Sequence, residues 1–173
     1  IIFTFPHIGN VGINLEDDES RKPTVRGIVT RLKPTTPSNW RSTDTLDNWL
    51  RTHNIIGLYG IDTRKITRNL RNLGVVNAVI SHEKDPQIDK SHLIKLANKW
   101  PGISGLVLAK EVCCKEPYHW GEGRWMWPGK FNRTPTIKRI IAIDFGIKTN
   151  ILRCLADSGC GIEIVPATVT YDE

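Results

Sequence analysis

Ile140-Ile141-Ala142-Ile143-Asp144-Phe145-Gly146 is the stretch on which the fold turns. Four uninterrupted apolar residues are too few for a helix and lack the in-out alternation of a strand with one wet face, so they read as a central parallel strand buried on both sides. Asp144-Phe145-Gly146 ends it. Asn150 to Ser158 then carries Ile151, Leu152 and Leu155 at helical spacing, Gly159 closes that helix, and Ile162 to Val165 is a second apolar run. Strand, helix and strand in this order predict one right-handed βαβ unit. Too little chain follows before Glu173 to close an α/β domain, so the expectation is a sequence that stops inside its second domain. It also begins on Ile1 within a strand-like run and without an initiator Met, which leads us to expect residues before it.

Upstream, strand patterns fall at Ile1 to Phe5, Val25 to Leu32, Ile55 to Tyr59 and Val75 to Ile80. The acidic run Glu16 to Glu19 reads as a loop. Three helices are predicted between and after these strands. The first is capped by Thr43 or Asp44 with Leu46, Trp49 and Leu50 on one face; the second is capped by Asp62 or Thr63, buries Ile66, Leu70 and Leu73, and ends at Gly74. The third runs from Ile88 to Trp100, packs Leu93, Leu96, Ala97 and Trp100, and stops at Pro101-Gly102. This alternation predicts an α/β fold, with a mixed sheet in the N-terminal domain because the earliest strands lack intervening helices.

Between the two patterns, Trp120, Trp125 and Trp127 sit among Gly121, Gly123, Pro128 and Gly129. That composition predicts a short strand or two and then a connection, giving an N-terminal domain over 1–128, a linker over 129–138 and a second domain from 139 to 173. The tryptophans have two readings, a ligand platform or packing of the connection against its own domain.

Composition narrows the functional classes. An apolar fraction of 39% and a charged fraction of 24% place the 173 residues among globular proteins. No run approaches the roughly 18 apolar residues of a spanning helix, and Ile1 to Phe5 has no signal-peptide character. A cytoplasmic protein is expected. The net charge of +6 is spread along the chain among 18 acids, which argues against a nucleic-acid footprint. Cys113, Cys114, Cys154 and Cys160 show no C-x-x-C spacing and no partnering histidine cluster, so free thiols and no metal site are expected.

Asp144-Phe145-Gly146 invites three enzymatic readings. A protein kinase needs a glycine-rich loop, a strand lysine and a His-Arg-Asp loop upstream, and none is present. Sugar kinases and related chaperone ATPases follow a similar Asp-x-Gly with a β-hairpin, whereas Lys148 to Ser158 has helical spacing. A dinucleotide fold wants G-x-G-x-x-G in this turn, where only Gly146 occurs. The competing structural reading is that Asp144 and Gly146 shape a turn at the carboxyl edge of the sheet. No cysteine lies in a nucleophile elbow with a base beside it: Cys113 and Cys114 follow an apolar segment, Cys154 lies in a helix and Cys160 beside its end.

Longer runs carry a resemblance. Thr4-Phe5-Pro6-His7-Ile8-Gly9-Asn10-Val11-Gly12-Ile13-Asn14, Ser38-Asn39-Trp40-Arg41, Gly60-Ile61-Asp62-Thr63-Arg64-Lys65-Ile66-Thr67-Arg68, Trp100-Pro101-Gly102-Ile103-Ser104-Gly105, Leu108-Ala109-Lys110-Glu111-Val112 and Asp144-Phe145-Gly146-Ile147-Lys148-Thr149-Asn150-Ile151-Leu152-Arg153 occur in family order over nearly the whole chain. Together they resemble the small, glutamine-handling subunit of carbamoyl phosphate synthetase, in its bacterial form. Val107 departs from an aspartate common there, and Cys113-Cys114 replaces small polar residues.

The resemblance implies an N-terminal α/β domain that docks to a large subunit, then a class I glutamine amidotransferase domain with a Cys-His-Glu triad. It further implies that ammonia from glutamine passes to the large subunit, which uses ATP and Mg to make carbamoyl phosphate for arginine and pyrimidine synthesis. The triad is expected downstream of Glu173 and the glutamine-binding serine upstream of Ile1, leaving no catalytic, glutamine-binding or cofactor-binding residue in these 173. Arg64, Arg68 and Arg71 lie about 200° around their helix from the apolar stripe; they are either a solvated face or the docking face for an acidic partner. The opposing reading is a non-enzymatic interaction module or a truncated homologue.

Overall fold

The computed structural model describes residues 1–82 and 89–170. It divides into two compact units, Ile1–Asp17 with Pro23–Ser104, and Asp18–Lys22 with the chain from Gly105 onward. Both mix helices with strands, and the protein is α/β.

In the first unit, a 3-10 turn at Leu15–Asp17 precedes β1 (Gly27–Val29), α1 (Leu46–Thr52) and β2 (Ile56–Leu58). β1 and β2 pair in parallel with Gly27 opposite Ile56 and Val29 opposite Leu58. Leu50 of α1 packs on Ile28 and Ile55, with Leu46, Trp49, Phe3 and Val25 around them. The Leu46, Trp49 and Leu50 face is therefore as expected. Thr45, one residue beyond the expected caps, is the N-cap: its hydroxyl accepts the Asn48 N–H at 3.2 Å, while the Asp44 carboxylate accepts from the Thr45 N–H and the Asn48 side-chain amide.

The run Ile1 to Phe5 is reduced to one parallel bridge between Ile2 and Val29, because Pro6 ends it before a ladder can extend. Gly12, in the turn that follows, has φ +73°, and a side chain there would collide with Ser42. α2 (Thr63–Leu73) starts at the Asp62 cap and ends at Gly74, as expected, and α3 (Lys90–Lys99) starts at Asp89. Ile88, the expected first residue of that third helix, lies outside the described residues.

Burial on α2 and α3 is thinner than their periodicity implies. Ile66, Leu70, Leu93 and Ala97 are half-buried, but Leu73 is 76% exposed, and Leu96 and Trp100 are exposed too. Val75 to Ile80 forms no strand; Val75 is 85% exposed. β-branched residues favour extended backbone, yet a strand exists only with a partner, and β1 is flanked by β2 and the Ile2 bridge.

The second unit contains α4 (Ala109–Val112), β3 (Tyr118–Trp120), β4 (Trp125–Met126), β5 (Lys130–Phe131), β6 (Lys138–Asp144), α5 (Thr149–Asp157) and β7 (Cys160–Pro166). β6 and β7 run parallel on either side of the α5 crossover, from Lys138 opposite Cys160 to Asp144 opposite Pro166. The βαβ reading is thus correct. β3 joins the other edge of β7 antiparallel, making a mixed sheet of order β3-β7-β6. Leu152 and Ala156 of α5 bury Ile162 and Ile164, with Tyr118, Trp120, Ile140, Ala142 and Leu155 at the margins. Ile151, expected inward, is exposed.

One expectation is corrected by this sheet. β6 is not covered on both faces: Ile141, 69% exposed, and Ile143 lie on an open face with His119 and Glu163. The run Ile162 to Val165 lies in β7, the middle strand. The pairing of β3 with β7 also places the spatial division between Ser104 and Gly105, ahead of residue 128.

Residues 129–138, expected as a linker, begin in the β4–β5 hairpin, which is fastened to α5. The Asp157 carboxylate accepts from the Arg124 guanidinium and from the Asn132 amide at 2.9 Å, and Arg153 bonds Glu122 at 3.1 Å while lying 4.3 Å over the Phe131 ring. The Arg124 hydrogen bond, with smaller help from Asn132, holds the Asp157 pKa below the usual aspartate value against a burial contribution that raises it. The contact is therefore complete at neutral pH and is lost as pH falls through that lowered value. Asp157→Ala is expected to release the hairpin, seen as faster proteolysis between residues 121 and 134 and a red-shifted tryptophan emission; an unchanged cleavage rate would contradict the fastening.

Candidate functional site

The carboxyl ends of parallel strands are where open α/β sheets bind ligands, and here β6 ends on Asp144. Its side chain is buried, and it accepts three backbone N–H groups: Cys114 on one oxygen at 2.6 Å, and Gly146 and Ile147 on the other at 2.8 and 2.9 Å. Burial opposes the charged form, but the N–H groups of Ile147, Gly146 and Cys114 outweigh it and hold the carboxyl below the usual aspartate range. A carboxylate so occupied is a turn-former rather than a general base. The turn reading of Asp144 and Gly146 therefore holds, and Gly146, at φ +99°, supplies the left-handed residue it needs. What the sequence did not reveal is the third donor, which brings residue 114 to the turn.

Cys114 is buried beside this carboxylate. Burial first, and the Asp144 charge second, push its thiol pKa up, so it is protonated and a poor nucleophile at neutral pH. All four cysteines are free thiols, as expected. Tyr118 is shifted upward for the same two reasons, with Arg21 stacked on its ring at 4.7 Å.

Arg64, Arg68 and Arg71 are all exposed on α2 and fall within an arc of about 60° by helical periodicity. None forms an ion pair with a described residue, and no acidic residue occurs from Thr63 to His82. Among the tryptophans, Trp120 packs at the margin of the core and donates its indole N–H to the Glu122 carbonyl at 2.6 Å. Trp125 is half-buried and meets Trp127 edge-on at 6.5 Å, while Trp127 is 73% exposed. Packing thus accounts for two of the three. Among the described residues, no helix is long and apolar enough to cross a membrane, and no group of three acidic, histidine or cysteine residues is placed to hold a metal.

These features define a two-unit α/β protein whose second unit holds a mixed sheet built on a parallel βαβ crossover. Residues 1–80 match the family model of the carbamoyl-phosphate synthase small chain, CPSase domain. Over its full length the chain is similar to the carbamoyl phosphate synthase small chains of Ruegeria pomeroyi, at 44% identity, Bradyrhizobium diazoefficiens, at 44%, and Zymomonas mobilis, at 43%. It covers 45%, 45% and 47% of those proteins, so it spans about half the length of the curated relatives it matches. Along its whole length the chain is thus similar to a portion of carbamoyl-phosphate synthase small chains, and its first 80 residues match their family model.

Proposed function

We propose that this chain is the docking half, with the first βαβ unit, of a glutamine-hydrolysing small chain that supplies ammonia to a large subunit for carbamoyl phosphate synthesis. The observation that carries this reading is identity of 43–44% to small chains along the whole of the chain. The nucleotide and magnesium chemistry belongs to the large subunit, and the product serves arginine and pyrimidine synthesis in the cytoplasm.

The local chemistry accords with a non-catalytic role for these residues. The buried thiol is protonated, and the carboxylate nearest it is saturated with backbone donors. The docking element is the cationic face of α2. Its partner surface is acidic, since no acid from Thr63 to His82 offsets Arg64, Arg68 and Arg71.

The purified chain should release no ammonia from glutamine above a buffer blank, yet copurify with a large subunit from a bacterial relative. Glutamine hydrolysis by the chain alone would overturn the inert assignment, and failure to copurify would overturn docking.

A further inference from the structure

Helix α5 lacks an N-cap of its own. Lys148 occupies the cap position and makes no side-chain cap hydrogen bond. An ammonium cannot accept one, and it stands at the positive end of the helix dipole. The orphan donors are satisfied from a distant part of the chain: the Glu19 carboxylate accepts the Asn150 N–H at 3.0 Å, and the Glu19 carbonyl accepts the Thr149 N–H at 3.2 Å. Two residues on, Arg21 lies over the Tyr118 ring.

The acidic run Glu16 to Glu19, which read as an ordinary loop, is thus divided in its work. Glu16 and Asp17 bond the Arg41 guanidinium at 3.1 and 3.0 Å within the first unit. Asp18–Lys22 belongs to the second unit, although Asp17 and Pro23 on either side belong to the first.

We infer that Asp18–Lys22 is an intramolecular capping strap, with Glu19 the positioning residue that sets the start of α5 and the Phe145–Lys148 turn leading into it. The carboxylate completes the helix's unsatisfied first turn and opposes the dipole, the two functions of a cap residue. Arg21 on Tyr118 pins the strap to β3. The inference is independent of the activity proposed above. Its bearing on that activity is that the turn at the carboxyl end of β6 takes its shape from a segment far upstream in the chain.

Backbone amide exchange in the intact chain tests it. Glu19→Ala should speed exchange at Asn150 by about fivefold to tenfold, the usual consequence of losing a cap, while Ile162 and Ile164 of β7 keep wild-type rates. Glu19→Gln, which keeps the acceptor oxygen, should recover most of the protection. A local cap introduced by Lys148→Asp should make Glu19→Ala silent at Asn150. Wild-type exchange at Asn150 in Glu19→Ala would overturn the inference. So would an undiminished effect of Glu19→Ala in the Lys148→Asp background, which also keeps the test decisive if the single variant loosens the whole unit.

Discussion

Asp144→Ala should lower the stability of the second unit by about 3 kcal/mol. The carboxylate holds three backbone N–H groups, and a hydrogen bond to a charged partner contributes about 1.5–3 kcal/mol net, a range that is not additive over groups sharing one acceptor. Gly146 is exposed, so water can replace the carboxylate there, whereas Cys114 is buried and its N–H would be left without a partner. Asp144→Asn separates shape from charge. The Gly146 and Ile147 bonds share one oxygen and the Cys114 bond uses the other, so either orientation of the amide turns its NH₂ toward a backbone donor. We expect about 1–2 kcal/mol lost, read from the midpoint of urea unfolding at constant slope. Wild-type stability in both variants would contradict the role given to this residue.

The same group makes stability depend on acid. Its folded pKa lies below the unfolded value of about 3.9, so its contribution is present above that value and disappears as pH falls through the lower folded one. Wild type should therefore lose stability below about pH 4 more steeply than Asp144→Asn. Parallel acid profiles would show that the charge contributes nothing.

The second large effect is on binding. Arg64→Glu, Arg68→Glu and Arg71→Glu together should abolish copurification with the large subunit, on the order of 100-fold or more in affinity, with the wild-type interaction weakening as salt is raised. Folding should change by no more than about 0.5 kcal/mol, because all three side chains are exposed and form no ion pair with a described residue. The helix dipole favours a glutamate at Arg64 and disfavours one at Arg71, so those small terms oppose each other. Lys65 lies about 100° from Arg64 around the axis, and Lys65→Glu should do far less. Equal loss from Lys65→Glu would mean general charge, not this face; undiminished binding by the triple variant would reject the face.

Local signals in the sequence determined much of this protein. The βαβ unit was legible because two apolar runs flank one amphipathic stretch closed by Gly159, and α2 because Asp62 and Gly74 bracket an apolar stripe. The likeness to carbamoyl-phosphate synthase small chains was legible from runs in shared order. Only the tertiary structure decided which runs find partners. Val75 to Ile80 has strand chemistry but pairs with no strand, β7 rather than β6 is the middle strand because Tyr118 to Trp120 folds back along it, and the supposed linker is tied down by Asp157. Glu19 is the sharpest case. The helix begins at Thr149 rather than at the expected Asn150, which leaves Lys148 at the cap position, and the carboxylate that accepts the Asn150 N–H lies 131 residues from it in a contact of which sequence carries no sign. Short-range order follows from each residue's own preferences, whereas pairing and capping at a distance depend on which surfaces meet once the chain has closed on itself.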